Sequence, residues 1–183
     1  MPMPIAHALV GATIAEILLP QDTSHRLAKV LTIAGLAVAP DLDFFFVWFL
    51  GLDRDWHRGF SHSLAMSALL GGAFVLARRG HRWREAATCA FAVASHGLLD
   101  AVTTVQGRGV ELLWPFQAER FRFGLVELWE AQPGWLAAGE FGRALQVSLV
   151  ELLVLGPVLV GLIWYRHLAP GPGPRSRSGS GFF

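Results

Sequence analysis

The sequence has 183 residues, of which 53% are hydrophobic and only 16% are charged. Soluble domains usually carry about a quarter of charged residues, so this composition excludes an ordinary soluble protein and favours a membrane protein. The formal net charge of +1 gives no reason to expect a nucleic-acid partner. The single cysteine, Cys89, excludes an intrachain disulfide bond and a thiolate metal site, and its apolar neighbours predict that it is buried.

Apolar segments in chain order predict an all-α fold. They cover residues 5–19, 27–39, 62–77, 86–104 and 145–164. A bilayer crossing needs about 20 apolar residues, so only the last segment is a clean span and the first two are short for a crossing. A further apolar stretch, residues 44–50, follows a predicted helix end at Pro40. Its Phe and Trp content predicts a re-entrant or interfacial segment. We therefore expect a membrane-embedded helical bundle of about five apolar helices.

Polar segments predict the domain limits. Residues 105–144 mix charged and aromatic side chains and predict an ordered loop outside the membrane. Residues 169–183 are rich in Pro, Gly, Ser and Arg and predict a disordered tail. Residues 1–168 would then form a single membrane-bound domain.

Clusters of basic residues predict the orientation. They lie between the first and second segments, between the third and fourth, and after the fifth, at Arg26, Lys29, Arg78, Arg79, Arg82, Arg84, Arg166, Arg175 and Arg177. The positive-inside rule assigns all three places to the cytoplasm. Five crossings then alternate consistently, with the N-terminus outside and the tail inside.

Histidine and aspartate residues gather at the predicted outer ends of the segments. They are His7, Asp41, Asp43, His57, His62, His96 and Asp100. His96 and Asp100 are four residues apart and share one helical face. Imidazole and carboxylate ligands without thiolate fit a divalent transition metal, with zinc preferred and manganese or iron as alternatives. We predict a metal site for one or two ions at this end of the bundle, with the ligands His7, Asp41, His57, His62, His96 and Asp100.

The segment around Arg58 adds groups that suit a phosphate. Ser61 is a natural helix N-cap, and the amides that follow it would bind an anion. Arg58 would supply a second phosphate contact. Asp43, the remaining carboxylate, could orient a water molecule as general base. Arg58 and Asp43 are thus the predicted catalytic residues, and Asp55 could be a hydrogen-bond partner of its neighbour His57.

Structural roles compete with these functional ones. A lone histidine in an apolar segment is usually a hydrogen-bonded core residue, which would describe His7 taken alone. A carboxylate after Pro40 is usually a cap or turn residue. Glu16 and Glu151 are costly inside apolar segments, but Glu16 lies off the helical face of His7 and we exclude it from the site. His25, His81 and His167 fall at the basic end and are excluded as well.

The order of short motifs along residues 1–125 carries a family resemblance. The motifs are His7, residues 40–43 (Pro-Asp-Leu-Asp), 57–63 (His-Arg-Gly-Phe-Ser-His-Ser), 96–100 (His-Gly-Leu-Leu-Asp) and 109–116 (Gly-Val-Glu-Leu-Leu-Trp-Pro-Phe). Together they resemble the inner-membrane-associated metal-dependent hydrolases, a family also described as LexA-binding. The resemblance implies a helical protein of a bacterial or archaeal inner membrane with a metal site.

The ligand types are also similar to those of the zinc-dependent phospholipase C and nuclease group. Its His-x-x-x-Asp pair matches His96 and Asp100, although the N-terminal tryptophan of that group is absent here. A site at the outer boundary of the membrane suits a lipid phosphoester, hydrolysed by metal-activated water. Two alternatives stay open: a membrane-anchored interaction protein that binds a cytoplasmic partner, and a metal-ion transporter, which more typically holds its ligands near the midplane.

Overall fold

The structure is a computed structural model that describes residues 4–20, 25–77, 83–104, 108–124 and 139–168. Its α-helices are α1 (Pro4–Leu18), α2 (Arg26–Val38), α3 (Phe44–Trp48), α4 (Leu64–Ala77), α5 (Trp83–Thr103) and α6 (Gly139–Leu168). Short 3-10 turns cover Ala39–Asp43, Arg54–Trp56 and Phe60–His62. Within the described ranges, β-structure is limited to an isolated bridge between Val110 and Phe121. The all-α prediction is confirmed.

α2 ends at Val38, close to the predicted end before Pro40, but the helical path is not interrupted there. Pro40 lies at the start of the 3-10 turn Ala39–Asp43, where its missing N–H is tolerated and its fixed φ fits the turn. Residues 44–48 then continue directly as α3. Arg26–Trp48 is consequently one 23-residue apolar helical segment rather than a helix followed by a separate re-entrant piece.

Three described helical segments are long and apolar enough to cross a membrane. They are Arg26–Trp48, Trp83–Thr103 and Ala144–Arg166. α1 and the apolar part of α4, Leu64–Phe74, are shorter than a full span. The five predicted segments therefore appear as three helices of spanning length and two shorter ones.

Two contacts between α1 and α6 fix their relative direction. The backbone N–H of Ala6 donates to Oε2 of Glu151 at 3.1 Å, and Nη2 of Arg166 donates to the carbonyl of Leu19 at 3.3 Å. Because both pairs follow the same order along the two helices, α1 and α6 run parallel. The buried carboxylate of Glu151 thus accepts from the first turn of α1, where backbone N–H groups lack helical partners and negative charge is favourable.

Small side chains let α1, α2 and α5 approach closely. Ala15, Ala37 and Ala92 are fully buried in one cluster, which also holds Cys89 as predicted. A Cβ added at Gly11 would lie 2.5 Å from Cβ of Ala37. In a bilayer, such close packing of small residues is a main source of helix association.

Ion pairs close the end of the bundle that bears the basic residues. Arg26 pairs with Glu16, and Nζ of Lys29 lies 3.0 Å from Oε1 of Glu85. Arg166 reaches the carbonyl of Leu19 at the same end. Glu16 therefore has a structural partner away from the predicted metal ligands.

Part of the predicted loop, residues 108–124, packs onto the opposite end. The N–H of Phe123 donates to the carbonyl of Ala101 at 2.8 Å, and that of Glu111 donates to the carbonyl of Arg58 at 3.0 Å. The loop is ordered here, as predicted, but it ends earlier than expected because α6 begins at Gly139 instead of 145. The predicted tail, residues 169–183, lies outside the described residues.

Candidate metal centre

The His/Asp cluster, defined as the seven residues that the sequence singles out, gathers at one end of the bundle. Antiparallel packing brings together the start of α1, the turn after α2, the segment before α4 and the end of α5. These elements supply His7, Asp41, Asp43, His57, His62, His96 and Asp100. Six of the seven are the predicted metal ligands, and Asp43 is the predicted base.

Asp41, His62 and His96 form the centre of the cluster. Oδ1 of Asp41 lies 3.3 Å from Nε2 of His96 and 3.7 Å from Nε2 of His62. Nε2 of His62 lies 3.8 Å from Oδ2 of Asp100. With metal–ligand bonds of about 2.0–2.2 Å, neighbouring ligand atoms of a tetrahedral site lie about 3.3–3.6 Å apart. The observed separations are therefore close to those around a shared ion.

The atoms that would bind the ion have no hydrogen-bond partners within the described part of the chain. Oδ1 of Asp41, Nε2 of His62, Nε2 of His96 and both carboxylate oxygens of Asp100 are buried without a hydrogen-bond partner. Each buried unsatisfied polar group costs about 1–3 kcal/mol. A cation among these atoms would satisfy all of them together, so the residues fit a divalent metal.

The other ring nitrogens orient the two central histidines. Nδ1–H of His96 donates to the carbonyl of Ala37 at 2.7 Å, and Nδ1 of His62 lies 3.0 Å from Oγ of Ser61. When Nδ1 carries the proton, Nε2 presents a lone pair to a metal. Burial lowers the pKa of His62, but the carboxylates of Asp41 and Asp43 outweigh burial and raise that pKa above its ordinary value. Acid conditions therefore favour a protonated His62 over a metal ligand.

Asp100 links the centre to a second group of donors. Its Oδ1 lies 3.4 Å from Nε2 of His7, whose ring stacks on His96 at a centroid distance of 3.7 Å. Its Oδ2 lies 3.1 Å from Nε of Arg58. Three groups of residues could each hold an ion: His7, His96 and Asp100; Asp41, His62 and His96; and Asp43, His57 and His62. Nε2 of His96 can bind a single ion, so the first two groups are alternatives. The first and third share no residue, so the arrangement suits two ions as well as one.

Asp43 accepts hydrogen bonds with both of its carboxylate oxygens. Its Oδ1 accepts from Nδ1–H of His57 at 2.7 Å, while its Oδ2 accepts from Oγ–H of Ser61 at 2.6 Å and from the backbone N–H of Arg58 at 3.1 Å. Both oxygens are therefore engaged, which favours a positioning role over that of general base. The expected partner of His57, Asp55, pairs instead with Arg108, so that expectation is wrong.

Asp43→Asn is expected to weaken metal binding by about 10–100-fold, the usual effect of losing a group that orients metal ligands. An amide would accept fewer hydrogen bonds and release the ring of His57 and the hydroxyl of Ser61. Competition with a chromogenic chelator measures the metal affinity. Asp53→Asn, at an exposed position in the segment after α3, is the control and should bind metal as the wild type does. Equal affinities for the two variants would contradict the positioning role.

Arg58 lies where a phosphate contact is possible. Its backbone has φ of 65°, in the left-handed region that non-glycine residues rarely adopt outside special turns. Nη2 of its buried guanidinium has no hydrogen-bond partner among the residues described. A polar cavity of about 450 Å³ adjoins it, lined by Asp53, Asp55, His57, Arg58, Arg108, Gly109 and Arg120.

Two features of this region escaped the sequence-based prediction. Ser63, rather than Ser61, caps α4, because its Oγ accepts from the N–H of Met66 at 3.1 Å. A Cβ added at Gly97 would lie 2.2 Å from the carbonyl oxygen of His62, so the missing side chain lets α5 pack directly against the turn that carries this predicted ligand. The sequence signal for this contact is a glycine, Gly97, directly after the predicted ligand His96.

Comparisons with known proteins agree with the membrane architecture. The family model described as YdjM inner membrane protein matches residues 1–169. The inner membrane protein YbcI of Escherichia coli (strain K12) is 33% identical over 180 residues, which cover 91% of this chain and 99% of that protein. No solved structure matches the chain. These names support an inner-membrane protein and specify no activity.

Proposed function

Since the chain belongs to the YdjM inner membrane protein family, we propose a function suited to a helical bundle in that membrane: metal-dependent hydrolysis. The His/Asp cluster would hold one or two divalent transition-metal ions, with zinc preferred. The observation that carries this proposal is a set of buried side-chain atoms of Asp41, His62, His96 and Asp100 that have no hydrogen-bond partner among the described residues. The measured pairs among these atoms are 3.3 Å to 3.8 Å apart.

The residues of the site would have separate roles in this reaction. A divalent ion held by these residues would supply Lewis-acid chemistry toward a phosphoester and an activated water. His62 and His96 are held with Nε2 facing the site, and Asp43 fixes the orientation of His57. Arg58 is suited to hold a phosphate oxygen through its free Nη2.

A lipid phosphoester is the substrate class that best suits this location. The ligands of α2–α3 and α5 lie toward the C-terminal ends of segments long enough to span the membrane. A transporter would typically hold its ligands near the midplane. A phosphate head at this end, with its hydrocarbon tail in the bilayer, matches both the polar site and the apolar helices around it.

The site is proposed to face the extracytoplasmic side. The basic residues Arg26, Lys29 and Arg166 lie at the opposite end of the bundle, and the positive-inside rule assigns them to the cytoplasm. A reporter fused after Arg79 is expected to be cytoplasmic. Its appearance outside the cell would reverse the orientation of the site.

The central test combines metal content with turnover. The protein is purified in detergent, its metals are measured by elemental mass spectrometry, and phosphate release from phosphatidic acid is followed. We expect at least one equivalent of a transition metal, and activity that chelation abolishes and zinc or manganese restores. Absence of bound metal after reconstitution with both ions would overturn the hydrolase proposal and favour a membrane-anchored interaction protein.

Arg58→Gln is expected to lower kcat/KM by about 10²–10³, the usual effect of removing one donor that stabilises transition-state charge. The variants are compared at saturating metal, because Nε of Arg58 also contacts Asp100. The metal content should then stay at the wild-type level, since Arg58 is a cation and not a ligand. Arg84→Gln is the matched control, since Arg84 is exposed in the first turn of α5, at the opposite end of the bundle. Loss of metal in Arg58→Gln, or equal kinetics of the two variants, would contradict the assigned phosphate contact.

A further inference from the structure

An apolar groove of about 610 Å³ runs beside the His/Asp cluster, between the turn after α2 and helix α4. Its apolar wall includes Pro40, Phe46, Met66 and Leu70. The volume falls within the range of small-molecule sites, about 300–1,000 Å³. The cluster itself does not explain this groove, because no metal ligand requires an apolar channel.

The groove opens on a surface that suits the hydrocarbon of the bilayer. One wall belongs to Arg26–Trp48, a segment long and apolar enough to span the membrane. Leu42 and Phe45 belong to this segment and line the groove, and they are 73% and 50% exposed. In a protein of an inner-membrane family, such exposed apolar side chains of a spanning helix lie against lipid. The groove is therefore continuous with the acyl-chain region.

The groove is polar at one place only, where Asp43 and Ser61 contribute to its lining. These are the residues that contact His57 and His62. On the other side of Asp43 lies Arg58, a buried cation whose Nη2 has no hydrogen-bond partner within the described ranges. An amphiphile whose tail fills the groove would thus bring an anionic head toward a positive group and the metal ligands.

We propose that this groove binds one hydrocarbon chain of a membrane lipid whose phosphate head lies at the His/Asp cluster. The inference rests on the proposed function for the role of the head. It adds a lateral entry from the bilayer and assigns chain recognition to Met66, Leu70 and the residues around Pro40. Because the chain would move from bilayer hydrocarbon and not from water, its preference for the groove would depend on shape and van der Waals packing against these side chains.

Photolabelling tests the groove without any activity measurement. The full chain, reconstituted in lipid nanodiscs, is irradiated with a phosphatidic acid that carries a diazirine near the end of one acyl chain, and the labelled peptides are mapped. We expect adducts within residues 39–46 and 60–70. Leu70→Trp fills the groove and should remove most of this labelling, since the larger side chain occupies the space of the acyl chain. Leu69→Trp is the matched control, because Leu69 is 63% exposed and lies outside the groove lining.

The variants are checked by gel filtration and metal content, and Met66→Trp replaces Leu70→Trp if the latter misfolds. Adducts scattered over the exposed apolar surface, or unchanged in the groove-filling variant, would overturn the groove while leaving the metal site to its own test. A dimer that the groove-filling variant dissociates would also overturn it, in favour of a second copy of the chain. Groove-specific adducts in a protein that hydrolyses no phosphoester would support the lipid site and remove the hydrolase function.

Discussion

A chain that carries both His62→Ala and Asp100→Ala is expected to retain no transition metal after purification. The two substitutions remove Nε2 of His62 and both oxygens of Asp100 from a group whose other members are Asp41, His7 and His96. Tight metal binding depends on several bonds made at once, with apparent free energies of about 10–16 kcal/mol for structural zinc sites. Elemental mass spectrometry of the detergent-purified variant measures the loss.

Thermal unfolding gives a second measure of the same loss. A ligand that binds only the folded protein stabilises it by about 2.7 kcal/mol at a hundredfold excess over its Kd. Zinc should therefore raise the unfolding temperature of the wild type and leave that of the double variant unchanged. His25→Asn is the control, since it removes an imidazole just before α2, where asparagine tolerates the left-handed backbone. Wild-type metal content in the double variant would locate the ions elsewhere.

The composition of the site could be predicted from the sequence because histidine and aspartate are costly in apolar helices and stand out there. His96 and Asp100 share one face of α5, and alternation of the helices brings that face toward His7 and Asp41. The polarity pattern therefore indicates both the residues and the end of the bundle. It needs no knowledge of side-chain contacts.

The separate roles of Asp41 and Asp43 could not be predicted in this way. Both follow Pro40 within three residues, so the sequence pattern fits either one equally well as the metal ligand. Only the packing of the segment before α4 shows that Asp43 accepts from His57 and Ser61, while Oδ1 of Asp41 faces the central histidines. The direct connection of α2 to α3 through a 3-10 turn was not predicted for a related reason, because such a turn can accept a proline that an α-helix interior cannot.

Gly97→Ala is expected to abolish metal binding and destabilise the fold, although it adds one methyl group. The new Cβ would lie 2.2 Å from the carbonyl oxygen of His62, against about 3.4 Å for ordinary contact, so the backbone of His62 must move by about 1 Å. Metal–ligand distances tolerate only about 0.2 Å. Forcing extra volume into a packed interior typically costs about 1–3 kcal/mol. Metal content and the unfolding temperature in detergent measure the two effects.

Gly72→Ala shows what the same substitution does in open space. A Cβ at Gly72, in α4, would meet nothing within 4 Å. Alanine is favoured over glycine inside a helix by about 1 kcal/mol, so this control should be neutral or slightly more stable and should bind metal normally. The two substitutions are chemically identical and opposite in expected sign, which isolates the contact between α5 and the His62 turn as the cause. If Gly97→Ala behaved like Gly72→Ala, the close approach of α5 would not be what holds His62 among the metal ligands.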